Sequence, residues 1–441
     1  DQMRDLEKLT KKGFGDSGNP LLVSVRSGAA VSMPGMMNSF LNVGLNQAAV
    51  EGLIRQNARP WFAWDCYRRF LQCWGMFFGI ERDIFDAIID SFKRKYDVGV
   101  KIQLTPEQMK EVALTYRETV KDHGVEISDD PKTQLETAIS LVFRSWNSPK
   151  ARTYRKILGI SEDWGTAVIV QAMVYGNLDS TSGTGVLFTR NPHSSGDRAM
   201  LWGDYTTEAQ GEDVVSGLVK TLCISNEQRS VEERTFDISL EDCFPEIYSS
   251  LLKIVKNLIY TEKWGAQEIE FTFEGEKKED LYILQARDMS IAKKDCLTAF
   301  APSPELASSY LSSGIGVGGC ALSGRVVFDF DDIEEFRRKD PAVRLILIRS
   351  DTVPDDIGYI SAADGLLTAR GGATSHAAII AKKLGKTCVV GCNKLVVLED
   401  DKKFRLNNRV VSAGDFLSID GRNGSVYLGR HPVEEIRFLT E

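Results

Sequence analysis

Apolar positions change their period several times along the chain, and each change marks an element. Residues 1 to about 20 read as a charged helix and a Gly/Asp/Ser/Asn turn. The apolar run LLVSV then has strand length, and Arg26 follows directly at its end. From about 50 to 160 the apolar residues recur every three or four positions, in WFAWDCYRRFLQCWGMFFGI, QMKEVALTYRETVKDHG and QLETAISLVFRSWNSPKARTYRK. That spacing predicts amphipathic helices whose aromatics and methionines are core, with His123 in a turn and without a functional role. The period shortens after residue 165. TAVIVQAMVYGN predicts a buried strand, SGTGVLFTRNP turns back through two glycines into another, QGEDVVSG at 210–217 leads to a long helix, and QEIEFTFEGEKKEDLYILQAR predicts a hairpin. Residues 288 to about 320 are rich in Ser, Pro and Gly and read as a linker. Beyond it RVVFDF, RLILIRS, GLLTAR, TCVVG and a closing pair around GDFLSID and GSVYLG predict a further set of strands, with one helix crossing over before TCVVG.

Length and composition narrow the class. A chain of 441 residues holds two to four domains, and 43% hydrophobic with 26% charged residues is ordinary for a water-exposed globular protein. A net charge of −8 without a basic run argues against nucleic acid and membrane surfaces as partners. There is no apolar run of about 18 residues and no signal peptide, so a soluble chain is expected. The eight cysteines contain no Cys-x-x-Cys pair, which makes structural zinc unexpected and a reducing compartment with buried or free thiols the reading. That places the protein in the cytoplasm, with an organellar stroma or matrix also open. The chain begins at Asp1 without a methionine, so a piece of a longer protein or a processed product is expected.

Three stretches carry chemistry. In RGGATSHAAIIAKKLGKTCVVG, residues 370–391, a strand runs into two glycines, Thr374 and Ser375, and then His376, which opens a helix ended by Gly385. Thr374 or Ser375 can cap that helix, and His376 sits at its positive end, where unsatisfied N–H groups favour a phosphoryl group. On the residues alone, a structural histidine fits as well. In the hairpin, EIEFTF alternates so that Glu268 and Glu270 share a face, as do Gln285 and Arg287 in YILQAR. An inward carboxylate opposite an amide oxygen and an arginine suits Mg²⁺ and phosphate, although a polar face with a surface ion pair reads equally well. Arg26, beside the flexible SMPG turn with Ser32 and Gly35, places a guanidinium next to free backbone N–H groups, a layout suited to polyphosphate or to a plain strand and turn.

The 370–391 run resembles the phosphohistidine loop of the phosphoenolpyruvate-utilising swivelling domains, and its TSHAA core is similar to that of the pyruvate phosphate dikinases. SVRSGAAVSMPGMM, YRRF and VFRSWNSPKA resemble the nucleotide-binding half of the same family, and residues 165–290 look like the second lobe of an ATP-grasp fold. The resemblance implies an α/β (α+β) protein: a partial ATP-grasp domain over 1–290 with a helical insertion over about 50–160, then a linker over 291–320. A β/β/α phosphohistidine swivelling domain over 321–430 and a truncated linker over 431–441 complete it.

It implies that His376 is phosphorylated from ATP, that Glu270 and Gln285 hold Mg²⁺, and that Arg26, Ser32, Gly35 and Arg287 bind phosphates. Gln171 and Met173 are expected at the adenine edge, with Glu268 in support. Thr374 matches the position modified in the plant dikinases, with Ser375 beside it, and a phosphate there would repel the incoming phosphoryl group. The implied partners are ATP and inorganic phosphate, with pyruvate or phosphoenolpyruvate acting only at a barrel domain that this sequence lacks, and a homodimer in the complete enzyme.

Three departures from the family's pattern stand out. No GGKGA-type segment precedes Arg26, GVGGC replaces a PASPG-like entry to the mobile domain, and the linker is short. His193 and His431 fall in loops without an assigned role. A phosphoenolpyruvate synthase or other water dikinase, and a non-catalytic interaction protein retaining the fold, are the alternatives; SMPGMM and TSHAA favour the phosphate-using dikinase.

Overall fold

The computed structural model describes all of the chain but residues 1, 30, 32, 34–35, 38, 192–197, 212–213, 215–218, 220, 233, 235–236, 290–297, 353–355, 373–374 and 436–441. It forms two compact units, Asp1–Val174 and Tyr175–Glu441.

The first unit opens with α1 (Gln2–Thr10) and contains an antiparallel sheet in the order β2-β1-β3, from β1 (Val23–Gly28), β2 (Phe40–Val43) and β3 (Ala167–Ala172). Between β2 and β3 lie α2 (Gln47–Asn57), α3 (Pro60–Phe77), α4 (Arg82–Lys95), α5 (Pro106–Asp122), α6 (Pro131–Ser145) and α7 (Pro149–Leu158), as the three- and four-residue spacing predicts. Proline stands in the first turn of α3, α5, α6 and α7, where its missing N–H costs no helix bond. Thr105, Asp130 and Ser148 cap the last three.

Helix α3 is the centre of this unit: Phe62, Tyr67, Phe70 and Trp74 are all buried, and Phe40 of β2 packs against Trp74 with ring centroids 5.5 Å apart. The same helix buries Asp65. Its carboxylate accepts from Arg68 Nε at 2.8 Å, Arg69 Nε at 2.9 Å and Lys101 Nζ at 2.8 Å. Burial alone would raise this carboxyl, but Arg68, Lys101 and Arg69 together hold it well below the usual carboxylate range. His123 caps α5 and its Nδ1 lies 2.8 Å from Thr119 O, a structural role as expected. Strand β3 differs from the expectation of a buried strand. It is an edge strand packed against α6, and Ile169 is 50% exposed.

The second unit contains two larger sheets. The five-stranded antiparallel sheet runs β6-β5-β4-β7-β8, from β4 (Gly183–Phe188), β5 (Trp202–Thr207), β6 (Leu222–Cys223), β7 (Gln267–Phe273) and β8 (Leu281–Asp288). One face is covered by α8 (Asn226–Val231), α9 (Leu240–Cys243) and α10 (Pro245–Lys256), which runs on into a π-helical turn. Ile269, Phe271 and Phe273 of β7 join Leu240, Phe244, Ile247 and Leu251 in that core, leaving the intervening side chains on the opposite face.

The other large sheet has eight strands in the order β10-β20-β19-β12-β13-β14-β15-β11. After β9 (Thr298–Phe300) and α11 (Pro304–Ser308) come β10 (Tyr310–Ser313), β11 (Ile315–Gly318) and β12 (Ala321–Val327). The parallel run β12, β13 (Leu345–Arg349), β14 (Gly365–Thr368), β15 (Thr387–Val390) is connected by α12 (Phe330–Lys339), α13 (Ile357–Ala362) and α14 (His376–Lys383). Leu345 to Ile348 are all fully buried, as an unbroken apolar run in a parallel strand requires. A small sheet of β16 (Val396–Leu398), β17 (Lys403–Leu406) and β18 (Arg409–Ser412) precedes β19 (Phe416–Asp420) and β20 (Ser425–Leu428).

The second half of the expected linker is therefore ordered: β10 pairs with β20 and β11 with β15. Its glycines meet packing demands, since a Cβ at Gly316 would come 2.6 Å from Gly421 O. Residues 290–297, at its start, lie outside the described residues. At the other end β21 (Val433–Glu435), in the segment expected as a second linker, pairs with β9. His431 beside it contacts Ser309 Oγ at 2.8 Å and Leu428 O at 3.0 Å through Nε2, so it has structural partners after all. His193 lies outside the described residues.

Cys66, Cys223, Cys388 and Cys392 are buried free thiols, Cys73 and Cys243 are also free, and Cys320 is disulfide-bonded, unlike the uniformly reduced set expected. Among the described residues no helix is long and apolar enough to cross a membrane.

Candidate active site

The loop after β14 is built by its glycines. Thr368 Oγ1 donates to Arg370 O at 2.6 Å, and the chain then turns at Gly371 with φ +107°. A Cβ there would sit 2.9 Å from Ser375 Oγ, and one at Gly391 would sit 2.6 Å from Gly371 O. Only glycine meets both the left-handed backbone and the close approach. Ser375 is buried and extended, and its Oγ accepts from Ala378 N, which makes it the cap of α14. Thr374, the other cap candidate, lies outside the described residues.

His376 is the first residue after the cap, so it stands where the helix offers unsatisfied N–H groups and the positive end of its dipole. Its side chain is outside what the structure describes. Ala377, Ala378, Ile380 and Ala381 bury the helix against β11, β14 and β15, and Gly385 ends it at φ +64°.

In the hairpin, Glu268 stands opposite Arg287 and Glu270 opposite Gln285, so all four side chains share the face turned away from the core. Arg287 Nη2 donates to Glu268 Oε1. Glu268 is buried, Glu270 half-buried and Gln285 exposed. The register shifts just after Glu270, where Phe271 pairs with Ile283, and Leu284 is the extra residue of a bulge.

Directly opposed residues carry Cβ atoms about 5 Å apart, close enough for a carboxylate and an amide oxygen to reach one cation. Hard oxygen donors of this kind fit Mg²⁺, which keeps several waters and phosphate oxygens in its shell. Glu270 and Gln285 offer two such donors, and the other positions around an ion held there would fall to water and phosphate oxygens.

The row of the sheet through Glu270 continues. Val186 of β4 pairs with Glu270 on one side and with Asp204 of β5 on the other, which brings Asp204 onto the same face. Asp204 is 3% exposed, and its Oδ1 accepts from Thr221 Oγ1 at 3.1 Å and Arg234 Nη1 at 3.2 Å. Arg234 also donates to Asp237 Oδ2 at 2.7 Å. The Glu232 carboxyl nearby is pushed up by burial and by the charge of Asp204. A Cβ on Gly372 would lie 3.3 Å from Asp204 Oδ2, so the second glycine of the histidine loop reaches this sheet. Sequence reasoning missed Asp204; its signal is an acid inside the strand WGDYTT, between Trp202 and Tyr205.

At the far end of α14 the Lys382 ammonium is pushed down by burial and drawn back up by Glu268. Lys383 is likewise pushed down by burial and by Arg287, with Glu268 opposing. The second unit thus brings together Glu268, Glu270, Gln285, Arg287, Asp204 and the helix of His376.

The remaining sequence candidates belong to the first unit. Arg26 lies within β1 opposite Ile169, half-buried, and Gln171 lies opposite Ser24. Met173 N donates to Leu22 O at 2.9 Å. Ser32 and Gly35 are outside the described residues.

Residues 1–238 match the family described as pyruvate phosphate dikinase, AMP/ATP-binding domain, and residues 342–424 match the mobile domain of PEP-utilising enzymes. A nucleotide-binding domain followed by a mobile phosphohistidine domain is therefore the class of the chain. The curated relatives include the pyruvate, phosphate dikinase of Clostridium symbiosum, 37% identical over 98% of this chain and 51% of that protein. The chloroplastic enzyme of Flaveria pringlei is 39% identical over 97% of the chain and 46% of that protein. The one from Rhizobium meliloti (strain 1021) is 36% identical over 97% and 50%. The chain spans about half the length of the curated relatives it matches. It belongs to the pyruvate phosphate dikinase family.

Proposed function

We propose that this chain carries out the nucleotide half-reaction of a pyruvate phosphate dikinase, the transfer of phosphoryl groups from ATP to His376. The observation that carries this reading is the opposition of Glu270 to Gln285 and of Glu268 to Arg287 on one face of the β7–β8 hairpin, in the same unit as the capped helix that His376 opens.

A neutral imidazole nitrogen of His376 attacks the β-phosphorus of ATP in line, the bond to the α-phosphate oxygen breaks, and AMP leaves. Inorganic phosphate then attacks the γ-phosphorus, releasing pyrophosphate and leaving phosphohistidine. Arg287 and Arg26 offset phosphate charge, Gln171 and Met173 border the adenine, and Ser32 and Gly35 supply loop contacts to phosphate. Glu270 and Gln285 would hold Mg²⁺, which when bound neutralises phosphate charge. Pyruvate is the proposed final acceptor, following the names of the relatives.

In this reading residues 1–290 serve the nucleotide. A swivelling domain from about 321 to 430 carries the histidine, with the strands over 310–318 completing its sheet, and the segments 291–309 and 431–441 tether it. Thr374 and Ser375 are proposed as regulatory positions, where added phosphate would repel the incoming group. A cytoplasmic or organellar stromal location is proposed from the six free thiols among the described residues, against which the disulfide at Cys320 stands.

The test is incubation with Mg²⁺ and ATP labelled at the β-phosphorus. Acid-labile, base-stable label that disappears in His376→Ala is the expected result; no label on a chain that retains nucleotide overturns the reading.

A further inference from the structure

We propose that Glu399 is a positioning residue of the phosphotransfer: its carboxylate clasps Arg349 and Ser350 at the end of β13, and through their carbonyls it sets the backbone that leads into His376. The inference rests on the phosphotransfer reading and adds to it a side chain outside the histidine loop that aims the nucleophile.

The first residues of the histidine loop are held by the strand beside them. Arg349, the last residue of β13, stands opposite Thr368, the last of β14. The ladder runs on past both strand ends: Ala369 N donates to Arg349 O at 3.1 Å, and Arg370 N donates to Ser350 O at 3.1 Å. On the other side Cys392 N donates to Thr368 O at 3.0 Å. The chain turns at Gly371 and Ser375 caps α14, so residues 369 and 370 are where the geometry of the sheet passes into the turn that delivers His376.

Glu399 fixes the two residues whose carbonyls hold this stretch. Its Oε2 accepts from Arg349 Nη1 at 3.0 Å and its Oε1 from Ser350 N at 3.2 Å, so one carboxylate holds a side chain and the adjacent backbone at once. The guanidinium is held from other directions as well, with Nε 3.5 Å from Asp356 Oδ1 and its centre 4.9 Å from the centroid of the Tyr359 ring. Glu399 begins the turn between β16 and β17, and its O accepts from Lys402 N at 2.9 Å. Lys402 Nζ donates to Asp332 Oδ1 at 2.8 Å and lies 2.6 Å from Asp329 Oδ2, where α12 starts after β12. The turn is thereby pinned to the ends of two parallel strands, which gives the clasp a fixed base.

The clasp does little for folding. The Glu399 side chain is 42% exposed, and water screens an ion pair so placed. Its directional demand is nonetheless high, because two charge-assisted hydrogen bonds to one carboxylate fix the separation and orientation of their donors. In-line transfer is sensitive to that order of detail: a misplacement of about 1 Å can cost about 100-fold in rate. Glu399 acts through the backbone and is not asked to touch a reacting atom.

Two readouts test this on the whole chain. Hydrogen exchange followed by mass spectrometry should show the amides of Ala369 and Arg370 exchanging about tenfold or more faster in Glu399→Ala, with those of β12 and β19 unchanged. The maximal rate of His376 labelling from β-labelled ATP should fall about tenfold or more in that variant. The ATP concentration that half-saturates labelling should stay within about twofold, and the melting temperature within about 3 °C. Glu399→Gln keeps an acceptor for Ser350 N and should label within about threefold of the original rate. Unchanged exchange at Ala369 and Arg370 in Glu399→Ala, an unchanged labelling rate, or a rate that falls only together with the melting temperature overturns the proposal. Faster exchange in the variant of a chain that binds nucleotide but takes no label even with Glu399 present would leave the clasp intact and sink the phosphotransfer reading instead.

Discussion

At the scale of single residues, two positions carry more than their neighbours. Asp65 is a carboxylate buried with Arg68 and Arg69, and it receives Lys101 as well. Removing it by Asp65→Asn leaves buried guanidinium groups uncompensated, and should cost about 3–5 kcal/mol by denaturant unfolding. The sign of the pH effect follows from its carboxyl being held below the unfolded value of about 3.9. The stabilisation is fully present above that value and is lost as pH falls through the lower folded one, so acid unfolding should be steeper in the original chain than in Asp65→Asn. Gly371 is the other position. Gly371→Ala must force φ +107° on an L-residue and crowd Ser375, at about 1–3 kcal/mol. The expected readout is a loss of His376 labelling together with a lowered melting temperature, because the substitution displaces the cap.

At the scale of elements, the hairpin and the histidine helix behave differently. The alternation in EIEFTF and YILQAR was enough to put Glu268 with Glu270 and Gln285 with Arg287, because a strand has a period of two. The hairpin was legible too, but its residue-by-residue register was not. It depends on the bulge at Leu284, and a shift of one residue would send the same side chains into the core face. Glu270→Gln should weaken ATP binding in the presence of Mg²⁺ by about tenfold or more and leave metal-free binding nearly unchanged, as measured by equilibrium dialysis with and without the metal. Arg287→Met removes the ion-pair partner of the buried Glu268, and about 2 kcal/mol of stability should go with it. The companion variant Arg287→Met with Glu268→Leu should recover part of that loss, since both charges are then absent. For α14 the start, the serine cap and the glycine stop were all readable, as each is a local backbone demand.

At the scale of the whole molecule, the division into two units predicts calorimetric unfolding in more than one transition. Asp65→Asn should lower the transition of the unit that contains it and leave the other nearly in place. What the sequence by itself determined is what depends on near neighbours: helix and strand periods, the strand–glycine–histidine–helix run, and the residue types suited to metal and phosphate. Tertiary structure decided the rest. Ser309 to Gly318 read as tether because Ser and Gly are flexible in isolation, yet β10 and β11 are strands because β20 and β15 lie beside them. Strand β3 reads as buried because its residues are apolar, yet its edge position leaves Ile169 half exposed. Asp204 acquires meaning only when folding brings Gly372 to it across more than 160 positions of chain. Local pattern records the conformational preference of a segment, whereas burial, register and ion pairing are set by partners distant in sequence, and those exist only once the chain has folded.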